Sequence, residues 1–189
     1  MKKPLSLGVA LALSATVAHA DAMQTSMIAY VNDSVRELFE FNAAYTAVKS
    51  SNTEHSALSD AEILEMDNLW RAEIGSSSRP TIDRIAGSDV SQTLRGYVEE
   101  SQGLITEIIL MDNRGMNVAV SDVTSDFWQG DEAKYQETYL KGPDAIHVSE
   151  IELDESSQTY QAQVSFVVSD PASGKPIGAV TVGLNAAEF

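Results

Sequence analysis

The apolar residues of this chain change period once, at Leu104, and that change limits the fold more than any other feature. From Met27 to Val48 the residues Ile28, Val31, Val35, Leu38, Phe41, Tyr45 and Val48 recur at steps of three and four, with Asp33, Arg36, Glu37 and Glu40 between them. One apolar stripe along a long helix gives that spacing. Its steps approach a heptad seam, so two uses stand open: pairing with a second copy through the Ile28 to Val48 helix, or packing across the back of a sheet. Polar residues Ser50, Ser51, Asn52, Thr53 and His55 predict a loop. Ser59 and Glu62 then have the spacing of a capping box, and Ile63, Leu64, Met66, Leu69, Trp70 and Ile74 predict a helix with a broad buried face. Gly75-Ser76-Ser77-Ser78 ends it, and Pro80 suits the first turn of the next. Ile82, Ile85, Val90, Leu94 and Val98 keep helical spacing, interrupted near Gly87-Ser88.

Beyond Leu104 the pattern belongs to strands. Ile105 to Met111 and Met116 to Val120 flank Asp112-Asn113-Arg114-Gly115, whose residues favour a tight turn, so the three predict a hairpin. Residues 131 to 141 are more polar, and Ala133, Tyr135, Tyr139 and Leu140 fit a short helix. Ile146 to Leu153 and Thr159 to Val168 are the next strands. The second places Tyr160, Ala162, Val164, Phe166 and Val168 on one face and Gln161, Gln163, Ser165 and Val167 on the other, the mark of a sheet with two unlike faces. Asp170 to Lys175 makes a hairpin turn, and Ile177 to Leu184 the last strand. Helices first and five strands after them predict an α+β fold with an antiparallel sheet.

Composition bounds where the chain works and what it meets. Lys2 and Lys3, an apolar run from Leu5 to Val17 and the small-x-small site Ala18-His19-Ala20 predict a signal peptide over residues 1–20, cleaved before Asp21. The apolar run falls short of the roughly 20 residues that span a bilayer. The expected location is therefore periplasmic, with no membrane insertion after cleavage. Residues 21–189 are expected to form one domain, helical over 21–103 and sheet-based over 104–189. With no cysteine, disulfides, thiolate catalysis and Cys-ligated metals are excluded. A net charge of -16 repels nucleic acid and anionic headgroups.

The order of the hairpin, an aromatic insert and three further strands resembles the extracytoplasmic Cache sensor domain, a PAS-like fold of PDC type. The resemblance is carried by the Asp112 to Gly115 turn, Ser121, the insert Asp126-Phe127-Trp128-Gln129-Gly130-Asp131-Glu132 with Tyr135, then Ser165 and the closing Gly174-Lys175-Pro176-Ile177-Gly178. These residues cover less than half of the chain. The resemblance implies a long helix packed on one face of the five-stranded sheet, with the insert folded over the other face to make a small-molecule pocket. Asp126, Phe127, Trp128, Lys134 and Tyr135 from the insert, with Ser121, Gln163 and Ser165 from the sheet, are the expected ligand-binding residues. Amino-acid-sensing members commonly place an Arg, then a Trp-Tyr pair two residues on, in the insert helix. Aligned on Tyr135, this chain has Glu132 at the Arg position and Lys134 at the Trp position. A carboxylate-clamping Arg is thus missing, and an amine, a neutral molecule or a differently held acid stays open as ligand.

Catalysis finds no motif. His55 and His147 stand alone, and no nucleophile elbow or phosphate-cradling Gly loop is present. Asp122, Asp126 and Asp131 lack calcium-loop spacing, so neither metal nor cofactor is expected. Receptors of this family carry a membrane span and an output module, whereas this chain stops at Phe189. The expectation is a single sensor domain that passes ligand state to a membrane receptor or kinase. The competing reading is a ligand-free accessory module that uses the N-terminal helix.

Overall fold

The computed structural model describes residues 21–39, 43–154 and 159–189. Helix α1 runs over 21–39, α2 over Ala43–Glu54, α3 over Asp60–Glu73, α4 over Pro80–Ala86 and α5 over Asp89–Glu100. Strands β1 (Ile105–Asp112) and β2 (Asn117–Val120) follow, then an insert carrying the short helix α6 (Ala133–Gln136). The chain closes with β3 (Ile146–Val148), β4 (Glu152–Asp154), β5 (Thr159–Ser169) and β6 (Pro176–Asn185). All strand pairs are antiparallel, in the order β2-β1-β6-β5-β3, with β4 also on β5. The α+β architecture is the expected one, except that the strand expected from Ile146 to Leu153 is broken into two short ones.

The N-terminal stripe packs on the chain's own sheet. Met27, Val31, Val35 and Phe39 are buried together with Ile108, Leu110, Val164, Phe166, Val180 and Val182. Their repeated step of four exceeds the α-helical period of 3.6. The backbone accommodates it by widening over Val31–Val35 into a π-helical turn, in which the Arg36 N–H reaches back to the Val31 carbonyl. Met27 and Phe39 take the inward places expected of Ile28 and Leu38, which are only partly buried; Tyr45 is partly buried, Val48 is buried in the same core from α2, and Phe41 lies outside the described residues.

Two helical expectations change. The polar run from Ser50 to Glu54 is helix, not loop, because its side chains have distant partners. Ser51 Oγ donates to Asp112 Oδ2 at 2.9 Å, and Asn52 donates to the Ile177 carbonyl at 2.7 Å and accepts from the Asn113 N–H at 2.8 Å. Helix α3 begins at the expected capping box, Ser59 and Glu62 binding each other's backbone N–H. Its buried face is narrow, however. Ile63, Asp67, Trp70 and Glu73 point inward, while Leu64, Leu69 and Ile74 are about half exposed.

That inward row ties α3 to its neighbours. Glu73 accepts the Thr81 and Ile82 N–H groups, both at 2.9 Å, which supplies the orphan donors of the first turn of α4. Burial pushes the Glu73 carboxyl up, yet these hydrogen bonds outweigh it and hold it below the usual range. Ile82 and Ile85 of α4 join Ile63, Trp70, Ile109, Met111, Met116 and Phe127 in a second core.

Candidate functional site

The insert that follows β2 is fastened at both ends. At its near end, Asp67 Oδ1 accepts the Phe127 and Trp128 N–H groups at 2.8 and 3.0 Å, and the Trp70 indole donates to the Thr124 carbonyl at 2.8 Å. Phe127 is buried, stacked on Trp70 with centroids 5.6 Å apart and met edge-on by His55 at 6.4 Å. Arg71 joins Asp67 at 2.7 Å to Asp126 at 3.2 Å, and its guanidinium is held above its ordinary value chiefly by the Asp67 bond.

At its far end the insert sits on the β1–β2 turn. Trp128 Nε1 donates to the Arg114 carbonyl at 2.8 Å, Tyr135 Oη to the Asn113 carbonyl at 2.7 Å, and the Gln129 N–H to the Gly115 carbonyl at 2.7 Å. Two glycines make this approach possible. Gly115, with φ +79°, would put a Cβ 2.7 Å from Gly130 Cα, and a Cβ on Gly130 would strike the Trp128 indole. Burial, with help from Tyr139 and Asp112, pushes the Tyr135 phenol well above its ordinary value, so it stays a neutral donor.

Between these fastenings a cavity of about 370 Å³ opens over the sheet, lined by Glu107 and Ile109 of β1, Gln161 and Gln163 of β5, and Val123 to Asp126, Gln129 and Lys134 of the insert. Glu107 pairs with Gly183 of β6, which pairs in turn with Gln163, so one cross-strand row carries Glu107, Gly183 and Gln163 on the same face. Glu107 Oε1 accepts from Gln163 Nε2 at 2.8 Å and from Gln161 Nε2 at 3.1 Å. A Cβ on Gly183 would lie 2.7 Å from Glu107 Cγ and 2.8 Å from Gln161 Oε1, so glycine leaves room for this network. Lys134 Nζ is 3.0 Å from Glu132 Oε2 and 3.1 Å from Gln129 Oε1, and Gln129 Nε2 binds Asp126.

Of the expected site residues, the fold brings Asp126, Lys134 and Gln163 to this cavity. It does not bring the others to its lining. Phe127 belongs to the second core, and the polar atoms of Trp128 and Tyr135 are committed to turn carbonyls. Ser121 Oγ accepts the Ile108 N–H at 2.8 Å at the end of the hairpin ladder. Ser165 is buried and shares a 2.9 Å hydrogen bond with Thr181. Glu107 is not among the expected site residues, and Gln161 is expected only on the polar face of its strand. The available signal was a carboxylate within the otherwise strand-forming Ile105 to Met111 run.

No protein-family model matches the chain, and no curated protein does. Solved structures similar to it include sensor or ligand-binding domains of chemoreceptors and histidine kinases. They include the ligand-binding domain of the Campylobacter jejuni chemoreceptor Tlp3 in complex with 4-methylisoleucine, at 17% identity and a TM-score of 0.41, covering 82% of this chain and 64% of that one. The sensor domain of the V. cholerae histidine kinase DctB has 15% identity and a TM-score of 0.38, covering 88% and 57%. The Pseudomonas fluorescens chemoreceptor CtaA ligand-binding domain, in complex with L-serine, has 14% identity and a TM-score of 0.38, covering 75% and 55%. The chain therefore spans less than two thirds of the length of each.

Proposed function

We propose that this protein is an exported small-molecule-binding sensor domain that takes its ligand into the cavity between β1, β5 and the insert. The observation that carries the reading is the cavity itself. Its volume falls in the range of small-molecule sites, and its wall sets apolar Ile109 and Val123 among eight polar or charged residues. Of these, Glu107 and Lys134 are held by the protein's own side chains, Glu107 by two amides and Lys134 by Glu132 and Gln129. Preorganisation of this kind lowers the ordering cost of binding.

A route for the signal is also present. Asp126 lines the cavity and is joined through Arg71 and Asp67 to α3, so a ligand that draws on Asp126 changes the tie between insert and helix. The receiving partner in this reading is a membrane receptor or kinase, and the leader over residues 1–20 directs the domain to the periplasm. Recognition rather than catalysis is the proposed role. Self-association through the first helix has no support from the packing, because Val31, Val35 and Val48 are already buried against the sheet.

A thermal-shift screen of amines, organic acids, amino acids and nucleobases tests the reading, since a ligand of the native state raises the melting temperature by mass action. At least one class should raise it in a saturable way. A chain that responds to none of them is not a small-molecule sensor of this kind.

A further inference from the structure

We infer that the cavity takes a cationic group, a protonated amine or quaternary ammonium set against Glu107, an inference that rests on the binding reading above. The charges in and around the wall decide it. Glu107 is oriented by Gln161 and Gln163, which are neutral donors, and among the described residues no ion pair reaches it. Its negative charge is fixed in direction without being compensated. Lys134, the basic residue of the lining, is already matched by Glu132 at 3.0 Å. The second carboxylate of the lining, Asp126, is reached by Arg71, which is shared with Asp67.

An anionic ligand would therefore meet Glu107 across the cavity with no free countercharge to hold it, and like charges brought together are costly. A cation meets an oriented carboxylate: a protonated amine can make charge-assisted hydrogen bonds that are stronger than neutral ones, and a quaternary ammonium, which has no N–H, is held by charge attraction alone. Ile109 and Val123 provide apolar surface for a short alkyl portion. Gly183 keeps the space beside Glu107 open, because any side chain there would displace the carboxylate stem. The ligand class that fits all four features is a small alkylamine or alkylammonium ion.

The test uses n-butylamine and tetramethylammonium beside butyrate and butyramide, at matched ionic strength, with melting temperature and calorimetric affinity read on wild type, Glu107→Gln and Glu107→Lys. Both cations should bind wild type and lose roughly tenfold or more in affinity in Glu107→Gln. Glu107→Lys should lose them altogether and accept butyrate. The melting temperature of each unliganded variant shows whether it is folded, and the charge-reversed variant gains a ligand, which misfolding cannot imitate. Equal cation binding in wild type and Glu107→Gln would overturn the inference, because attraction to the acidic surface at large would then explain it. Binding of butyrate, or of any acid or neutral compound of the wider screen, with both cations silent would overturn the inference and leave the binding reading standing. Silence of every compound in both experiments would overturn both.

Discussion

Tyr135 and Asp67 divide the labour of the insert between them, one at each fastening. Tyr135 spends its hydroxyl on the Asn113 carbonyl, so Tyr135→Phe should cost about 1 kcal/mol of stability while leaving ligand affinity unchanged, as paired denaturant and calorimetric titrations can check. Asp67 receives two backbone N–H groups of the insert, one of them from fully buried Phe127. Asp67→Ala would leave those donors without a partner and should cost about 1–3 kcal/mol, read as a lowered denaturant midpoint at unchanged slope. Neither role was legible in the sequence. The Asp67 and Phe127 partners lie sixty positions apart, and no local period encodes such a pairing. The same holds for Glu107, whose hydrogen-bond partners Gln161 and Gln163 lie across the sheet. Trp128 and Tyr135 were conspicuous because aromatic rings are conspicuous, and here they serve the insert's attachment.

Element ends are legible in the sequence where local chemistry sets them. The Ser59–Glu62 box opens α3, Pro80 begins α4, the interruption near Gly87-Ser88 separates α4 from α5, and the Asp112 to Gly115 turn joins β1 to β2 with Asp112 Oδ1 accepting the Arg114 and Met116 N–H groups. Alternation along β5 sorted Ala162, Val164, Phe166 and Val168 to the helix-covered face and Gln161 and Gln163 to the cavity face. The first helix offered two uses, and its packing now selects the sheet. Val35→Glu should therefore lower stability by about 4 kcal/mol or more, the range for an unpaired buried charge, with wild type and any folded variant sedimenting as the same species. A stable variant that dissociates a wild-type dimer would restore the pairing use of the stripe.

Helix α2 is also tied to the β5–β6 turn, where Tyr45 and Lys49 reach Asp170 at 2.8 and 3.1 Å. The Tyr45 hydrogen bond first, then that of Lys49, holds the Asp170 carboxyl well below the usual range. A depressed carboxyl binds its proton more readily in the unfolded chain. Its contribution is thus present above about pH 4 and is lost as pH falls through the folded value. Asp170→Asn should flatten the acid limb of a stability-versus-pH profile measured by urea unfolding, and leave the neutral region less stable than wild type.

The whole molecule places a helix-covered sheet face opposite an insert-covered one, and the cavity lies on the second, where the insert leaves the sheet between its two fastenings. The proposed sensing role depends on that cavity being the ligand site. The side-chain amide resonances of Gln161 and Gln163, followed by ¹H–¹⁵N correlation spectra while the strongest stabilising compound of the screen is titrated, test this most directly. Saturable shifts are expected at both amides and at Gln129, together with the backbone of residues 123–126, at the concentration where the melting temperature rises. Shifts gathered instead around Phe39 and Phe166, or unsaturable shifts spread over the acidic surface, would contradict a ligand site beneath the insert.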